Sequence, residues 1–481
     1  MMKKDKKINS FERMKKVINL DKLTYEPVYV YDKLSKEQVN AMEAMCIDYR
    51  KFLDNGKTER ECINITKQWA LDDGFVPMEE KDILKPGDKV FIINRDKNII
   101  LVVVGTEPIT NGINLVGAHV DSPRLDLKQR PLYESNGMSL LKTHYYGGIK
   151  KYQWTTVPLA LHGVIFKKDG EKIEFSIGED EEDPVFCVTD LLPHLAKDQM
   201  SKKVSEAIEG EALNLLFGGF TIGNEDIKDR FKKNVLNILY NNFGVTERDF
   251  LSAEIEAVPA FKAKNVGLDG AFIGGYGQDD RVCAYTSVKA ITEIENPKKT
   301  SVCLLVDKEE IGSCGNTGML SNFFKHSIAK VAEKINGGCD YLILSKIIEN
   351  SSCLSSDVSA AVDPNYEQVN EKYNSAYAGN GMVLMKYTGS RGKYDSSDAS
   401  AEYVFKIGKI LDENQVYWQT AELGKVDQGG GGTIAQYVAN MNMDVIDCGV
   451  PVLSMHAPFE VVAKTDIFMA YLSYKAFYNN N

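Results

Sequence analysis

The 481-residue chain has the composition of a water-soluble globular protein, with 43% hydrophobic and 26% charged residues. Its formal net charge of -11 argues against nucleic acid or an anionic membrane as the main partner. The basic N-terminus has no apolar segment behind it and no run of about 18 apolar residues follows, which predicts a cytoplasmic protein without membrane spans. The nine cysteines form no CxxC pair, so neither a disulfide framework nor a thiolate zinc site is predicted.

The first part of the chain predicts two helices followed by β-structure. SKEQ at 35–38 and TERE at 58–61 are capping boxes, which predict helices that end near Asn55 and Asp73. KVFIINRDKNIILVVVG then predicts a β-hairpin, and INLVGAHVDSP predicts an apolar strand that ends in a polar turn.

The rest of the chain falls into two regions of different character. Residues 125–262 contain short hairpin-like strands, such as GVIFKKDGEKIEFSIG, and charged helical segments, which predict an inserted β-rich domain. After this region, apolar strands alternate with helical segments. This alternation predicts an α/β fold, with a mixed sheet covered by helices on both faces and assembled from residues 1–124 and 263–481.

Histidines and carboxylates follow several of the predicted strands. In α/β sheets, ligands bind beyond the carboxyl ends of the strands, so these side chains are expected to lie close together. Imidazole and carboxylate ligands suit zinc, cobalt or manganese. The residues at these strand ends are His119, Asp121, Asp279, Asp280, Glu309, Glu310, Asp357 and His456.

Each of these segments also fits an ordinary structural role. A His-x-Asp sequence is a common turn, an Asp-Asp pair often caps a helix, and a Glu-Glu pair can be a solvated strand end. Five such segments at strand ends, in a chain with six histidines, favour a single metal site. Three carboxylates and a bridging hydroxide would balance the charge of two divalent ions.

Eight segments extend this pattern along the chain. They are GAHVDSPRLDLK (117–128), YYGG (145–148), QDDRVCAY (278–285), DKEEIGS (307–313), SSDVSAAVDPNY (355–366), GMVLMKY (381–387), GGGGTIA (429–435) and SMHAP (454–458). In this order they resemble the aspartyl aminopeptidase family of binuclear zinc metallopeptidases. The resemblance implies a zinc-exopeptidase-like catalytic domain and a role in dimerisation or oligomerisation for the inserted domain at 125–262.

The resemblance also implies a metal-binding role for five of the strand-end residues. Four would each bind one of the two ions, and Asp279 would bridge both. Asp280 stays open as the bridging residue, because this sequence has Asp-Asp where other family members have Asp-Asn. The implied ligands are His119, Asp279, Glu310, Asp357 and His456.

Two further carboxylates have implied roles in catalysis. Asp121 would accept a hydrogen bond from the ring of the first histidine ligand and fix its tautomer. Glu309 would be the general base that activates water and then protonates the leaving amine. Because adjacent residues of a strand point in opposite directions, Glu310 is expected to bind metal while Glu309 faces the water.

Substrate binding is predicted at two places. Lys386 would face the carbonyl oxyanion or an acidic substrate side chain; the alternative is an exposed lysine at a strand end. Gly430 and Gly431 would let the backbone approach a substrate closely; the alternative is a flexible loop. Asp363 stands where the family resemblance leads one to expect histidine, so a preference for acidic N-terminal residues is one option among several.

The function predicted from these residues is metal-dependent removal of the N-terminal residue from peptides. The expected cofactors are two divalent ions, with zinc as the first choice and cobalt or manganese as alternatives. The resemblance implies a homo-oligomer built from dimers, up to a dodecamer. Two other hypotheses stay open at this point: a binuclear metal deacylase of small N-acyl substrates, and a catalytically silent oligomeric shell.

Overall fold

The computed structural model describes residues 23–480, in which the strands form sheets of nine, seven and five strands. Helices cover both faces of the nine-stranded sheet, which confirms the predicted mixed α/β fold class. Within the same residues, every helix is too short or too polar to span a lipid bilayer.

The secondary structure is numbered here in chain order. The strands are β1 (Val76–Pro77), β2 (Lys89–Asn94), β3 (Asn98–Val103), β4 (Ile113–His119), β5 (Arg124–Ser135), β6 (Met138–Tyr146), β7 (Leu159–Phe166), β8 (Lys172–Ile177), β9 (Cys187–Val188), β10 (Leu215–Gly218), β11 (Ala253–Pro259), β12 (Lys264–Val266), β13 (Phe272–Gly275), β14 (Thr300–Val306), β15 (Ser352–Ser356), β16 (Ser359–Ala360), β17 (Met382–Met385), β18 (Trp418–Thr420), β19 (Asp444–Gly449), β20 (Pro451–Leu453) and β21 (Glu460–Ala463). The α-helices are α1 (Lys36–Asn55), α2 (Glu59–Asp72), α3 (Lys197–Ser201), α4 (Val204–Ala207), α5 (Arg230–Phe243), α6 (Gln278–Thr292), α7 (Phe323–Asn336), α8 (Tyr341–Glu349), α9 (Ala401–Glu413), α10 (Ala435–Ala439) and α11 (Lys464–Tyr478).

Helices α1 and α2 begin at the predicted capping boxes. The hydroxyl of Ser35 accepts a hydrogen bond from the N–H of Gln38, whose side chain accepts from the Ser35 N–H. Thr58 and Glu61 repeat this reciprocal pair at the start of α2. Each pair satisfies backbone donors that the first helical turn leaves free, so both predicted helix starts are confirmed.

The nine-stranded sheet has the order β1-β2-β3-β14-β4-β15-β19-β17-β18. Its centre, from β14 to β19, is parallel, and the predicted β2–β3 hairpin lies beside it. Alternate residues of β14 pack into two separate hydrophobic clusters, one on each face of the sheet. Cys303 and Leu305 belong to one cluster, and Val302 and Leu304 belong to the other. Burial on both faces explains why this strand is apolar throughout rather than alternating.

One predicted strand consists of two. The segment VIDCGVPVLSM forms β19 in the nine-stranded sheet and β20 in the five-stranded sheet, whose order is β12-β13-β21-β20-β16. Gly449, the last residue of β19, passes close to the backbone of Asp357, where a Cβ atom would lie 1.9 Å from the Asp357 carbonyl oxygen. The chain therefore changes sheets at a position where any side chain would collide with its neighbour.

The seven-stranded sheet, of order β8-β7-β11-β5-β6-β10-β9, is antiparallel throughout. All of its strands lie between Arg124 and Pro259, and the predicted hairpin at 163–178 is formed by β7 and β8. The domain limits of 1–124, 125–262 and 263–481, and the oligomerisation role of the insertion, stay predictions.

A buried histidine joins this sheet to helix α2. The Nδ1 atom of His162, on β7, lies 2.7 Å from Glu61, and its Nε2 atom lies 2.9 Å from Glu179. Lys57 and Lys262 also pair with Glu179, at 2.6 and 2.5 Å. Burial lowers the pKa of His162, but its hydrogen bonds with the two carboxylates outweigh that effect and raise the pKa above the usual histidine value. A carboxylate can only accept, so both ring nitrogens donate when the imidazole is protonated.

We expect this junction to make the folded state less stable as the pH rises. The contribution of protonated His162 is fully present below the ordinary histidine pKa of about 6.5, and it is lost as the pH rises through the higher folded-state pKa. At about pH 6, His162→Gln should therefore lower the free energy of unfolding by about 1.5–3 kcal/mol. Thermal unfolding of both proteins should show that the stability difference between wild type and His162→Gln becomes smaller as the pH rises from about 6 to about 9.

The control for this measurement is His326→Gln, at an exposed position on α7. That variant should unfold like the wild type across the range. A His162→Gln difference that stays constant with pH would show that His162 is not the charged partner of these carboxylates.

Candidate metal centre

Two sheets bring the predicted metal ligands together. Strands β4, β14 and β15 are parallel neighbours, so their carboxyl ends carry His119, the Glu309–Glu310 pair and Asp357 to one edge of the nine-stranded sheet. The five-stranded sheet supplies the other two, because Asp279 follows β13 and His456 follows β20. The sequence predicted this convergence for one sheet, whereas two sheets produce it.

The carboxylate of Asp279 lies between the two histidines. Its Oδ1 atom is 3.2 Å from His119 Nε2, and its Oδ2 atom is 3.1 Å from His456 Nε2. Burial raises the pKa of Asp279, but its hydrogen bonds with the two imidazoles outweigh that effect and lower the pKa below its usual value. A carboxylate with one oxygen facing each imidazole can bind two cations, one through each oxygen.

Each histidine has a second carboxylate beside it. The Oδ1 atom of Asp357 is 3.7 Å from His119 Nε2, and the Oε2 atom of Glu310 is 3.5 Å from His456 Nε2. Two atoms that each bind one tetrahedral zinc at about 2.0–2.1 Å lie roughly 3.3 Å from each other. The donor types and their separations therefore fit a zinc ion at each histidine.

Asp280 occupies a different position from Asp279. It is fully buried, and its Oδ2 atom accepts a 3.4 Å hydrogen bond from the backbone N–H of His119. Its ligand atoms also lie within 4.8 Å of those of His119 and Asp357. The peptide bond between the two aspartates is cis, and neither residue has helical φ and ψ angles. Of these two carboxylates, only Asp279 forms ion pairs with both histidines among the residues that the structure describes.

Glu309 and Glu310 lie in a single 3₁₀ turn after β14, and not in a strand. The turn follows Lys308, whose φ is +69°. Glu309 Oε2 lies 4.0 Å from His119 Nε2, while Glu310 approaches His456. The two carboxylates do separate, but the predicted reason, alternation along a strand, is wrong.

The cluster holds more negative charge than its protein neighbours balance. Burial raises the pKa of Glu309 to about 8, and the charges of Asp357 and Asp279 add to this effect. Burial and the charge of Asp279 raise the pKa of Glu310 well above its usual value. Burial lowers the pKa of His456, but its contacts with Asp279 and Glu310 raise it to about 10. Buried carboxylates that favour protonation next to histidines that favour charge indicate a site suited to cations.

Asp121 contacts the cluster differently from the prediction. His119 Nδ1 lies 3.0 Å from the backbone oxygen of Asp121 and 3.4 Å from its side-chain Oδ1. The shorter contact is therefore to the main chain. The Asp121 carboxylate accepts hydrogen bonds from the backbone N–H groups of Glu309 and Glu310, at 3.1 and 3.2 Å, and from the hydroxyl of Tyr146, at 2.8 Å.

Two supporting groups around His456 were missed by the sequence analysis. The Nδ1 atom of His456 donates to the Gly148 carbonyl at 2.9 Å, which directs Nε2 toward Asp279. Glu460 is buried, and its two oxygens accept from the N–H groups of His456 and Asp279, at 2.7 and 3.0 Å. A glutamate at the start of the apolar strand β21 was the available signal.

The predicted substrate-binding residues contact other parts of the chain. Lys386 forms an ion pair with Asp398. The N–H groups of Gly430 and Gly431 donate to main-chain carbonyls of neighbouring loops, both at 2.9 Å. Gly430 has a φ of +98°, and a Cβ atom there would lie 2.4 Å from the Cα of Ser390. The glycine run thus allows close packing against the chain itself, and its contact with substrate stays a prediction.

Comparison with known proteins supports the family that the sequence predicted. The profile of the family described as aminopeptidase I zinc metalloprotease (M18) matches residues 52–478. A Clostridium acetobutylicum protein named probable M18 family aminopeptidase 1 is 51% identical over 454 residues, which are 94% of this chain and 97% of that protein.

Solved structures agree as well. The crystal structure of a Thermotoga maritima M18 aminopeptidase gives a TM-score of 0.92 at 45% identity, and that of Clostridium acetobutylicum aminopeptidase I gives 0.88 at 47%. Each comparison covers 95% of this chain and 100% of the other. The predicted family of zinc metalloaminopeptidases is confirmed: the chain belongs to the aminopeptidase I zinc metalloprotease (M18) family.

Proposed function

We propose that the chain releases N-terminal residues from peptides at a centre that binds two divalent ions. Zinc is the expected metal. The observation that carries this proposal is the Asp279 carboxylate between His119 and His456, at 3.2 and 3.1 Å. Asp357 and Glu310 complete one donor group each. Because the similar proteins are named aminopeptidases over almost their full length, the family supports this function over the deacylase and the silent shell.

Glu309 is the proposed general base. Its Oε2 atom lies 4.0 Å from His119 Nε2. The proposed ligands Asp279 and Asp357 lie closer to the same nitrogen, at 3.2 and 3.7 Å. Zinc bound at this centre would polarise the scissile carbonyl and lower the pKa of the attacking water. Glu309 takes the proton of that water and passes it to the leaving amine. Zinc bound beside Glu309 would lower the pKa of Glu309 below about 8, so that the carboxylate would be deprotonated and able to accept a proton near neutral pH.

The preference for acidic N-terminal residues has less support. Lys386, predicted to face the carbonyl oxyanion or an acidic substrate side chain, instead forms an ion pair with Asp398, which Lys393 also contacts. Asp363 adds no positive charge. The acidic preference therefore stays a prediction, and a neutral preference fits these contacts equally well.

We also propose that the chain forms a homo-oligomer. A Saccharomyces cerevisiae mApe1 structure, described as a dodecamer, shares the fold with a TM-score of 0.74 at 17% identity. Loops beside the seven-stranded sheet expose apolar side chains, including Phe220 and Val185, around a cavity of about 930 Å³, and this surface is the proposed contact. Light scattering that finds only a 53.7 kDa particle would refute this assembly.

The proposed function predicts activity only on peptides with a free N-terminus and only with metal. The chelated protein should be inactive on a panel of short peptides that vary in the N-terminal residue. Zinc, cobalt or manganese should restore the release of that residue, and N-acetylated versions of the same peptides should stay intact. Hydrolysis of the acetylated peptides would instead support the deacylase.

Replacing Glu309 should separate metal binding from catalysis. Glu309→Gln keeps the size of the side chain and removes its basicity, so turnover should fall on the order of 10²–10⁴-fold while bound zinc is unchanged. Turnover is measured from initial rates, and the bound zinc is measured by elemental analysis. Glu349→Gln, at an exposed position at the end of α8, is the matched control. Near wild-type turnover in Glu309→Gln would remove Glu309 from the role of base.

The adjacent aspartates provide a matched pair for the bridging role. Asp279→Asn should lower the zinc content from about two ions per chain to one or fewer, because it weakens the carboxylate that faces both histidines. Asp280→Asn changes a carboxylate that lies near only one of the two histidines, so it should lower the zinc content less than Asp279→Asn does. The reverse order in elemental analysis would assign the bridge to Asp280.

A further inference from the structure

The turn that carries Glu309 and Glu310 is anchored to one buried carboxylate. Asp121 is fully buried, and its Oδ1 and Oδ2 atoms accept from the two successive backbone N–H groups of the turn. The flanking residues Lys308 and Gly312 both have positive φ, so regular strand or helix geometry does not fix the turn. The flanking Lys308 also bonds to Ser313 and Thr317, but Asp121 is the carboxylate that accepts from both glutamate N–H groups, so the position of the two glutamates depends on where that carboxylate is held.

A tyrosine from the inserted sheet holds that carboxylate. Tyr146 is the last residue of β6, and its hydroxyl donates a 2.8 Å hydrogen bond to Asp121 Oδ2. The same oxygen accepts from the N–H of Glu310. Because a carboxylate only accepts, the tyrosine must donate, and this bond fixes the Asp121 oxygen next to the turn.

The ring of Tyr146 is fixed in turn by Arg124. The guanidinium carbon lies 3.9 Å from the ring centroid. Arg124 is almost fully buried and pairs with Glu256 at 3.1 Å, Asp126 at 2.8 Å and Glu59 at 3.5 Å. A stacked cation held by three carboxylates keeps the ring in one place, so the hydroxyl arrives at Asp121 with a defined position.

We infer that Tyr146 is a positioning residue for the reaction, which acts through Asp121 on the turn that carries Glu309 and Glu310. This inference rests on the proposed function for the roles of those two glutamates. Removal of the Tyr146 hydroxyl leaves a fully buried carboxylate oxygen with one donor fewer. The Asp121 carboxylate then shifts, and both glutamates move with it.

Tyr146→Phe tests the inference, because it removes the hydroxyl and keeps the ring on Arg124. We expect kcat to fall about tenfold while KM stays within about twofold, since the substrate is not contacted. The affinity of the chelated protein for zinc, measured by competition with a chromophoric chelator, should also fall about tenfold. Tyr133→Phe is the matched control: it lies on β5 of the same sheet and has Lys142 over its ring, and both values should stay at wild type.

A double-mutant cycle on zinc affinity identifies the route of the effect. In an Asp121→Asn background, Tyr146→Phe should change zinc affinity by less than about twofold, because the carboxylate through which it acts is gone. A loss of equal size in both backgrounds, or an unchanged kcat in Tyr146→Phe alone, would overturn the inference. If Glu309→Gln kept wild-type turnover while Tyr146→Phe lost it, the base assignment would fail and the Tyr146 inference would stand.

Discussion

Repulsion among buried carboxylates is the constraint on which the rest of this structure depends. Asp121, Asp279, Asp280, Asp357 and Glu460 are each more than nine-tenths buried within one small region. Withdrawing so many negative groups from water is unfavourable unless donors or cations compensate them. The protein supplies part of this compensation through two imidazoles and several backbone N–H groups. The remainder is the reason that the centre is suited to divalent ions.

The scaffold meets this constraint by dividing the predicted ligands between two sheets. Parallel strands deliver three ligand positions to one edge, and the five-stranded sheet delivers Asp279 and His456. Glu460 ties the latter two together through their backbone N–H groups. A carboxylate therefore organises each half: Glu460 on one side, and Asp121 beneath the Glu309–Glu310 turn on the other. Both carboxylates act through backbone N–H groups and so help to position the side chains of the predicted ligands.

Features of the fold that depend on residues close together in the chain could be predicted from the sequence. Capping boxes located the starts of α1 and α2, and apolar strands ending in polar residues located the histidines and carboxylates that lie together in the centre. Glu460 and Tyr146 could not be predicted from local patterns, because their roles arise from contacts with residues that lie far away in the chain. Glu460 accepts from a residue 181 positions earlier. The turn at Glu309 and Glu310 could not be predicted either. Lys308 has a positive φ, a conformation that a sequence usually signals with glycine.

The end of β6 limits how far this protein can be regarded as modular. Tyr146 and Gly148 lie within the predicted insertion, residues 125–262, yet one contacts Asp121 and the other contacts the ring of His456. Excising residues 125–262 and closing the gap with a short linker would therefore not yield a minimal hydrolase. It would remove supports from both halves of the centre at once.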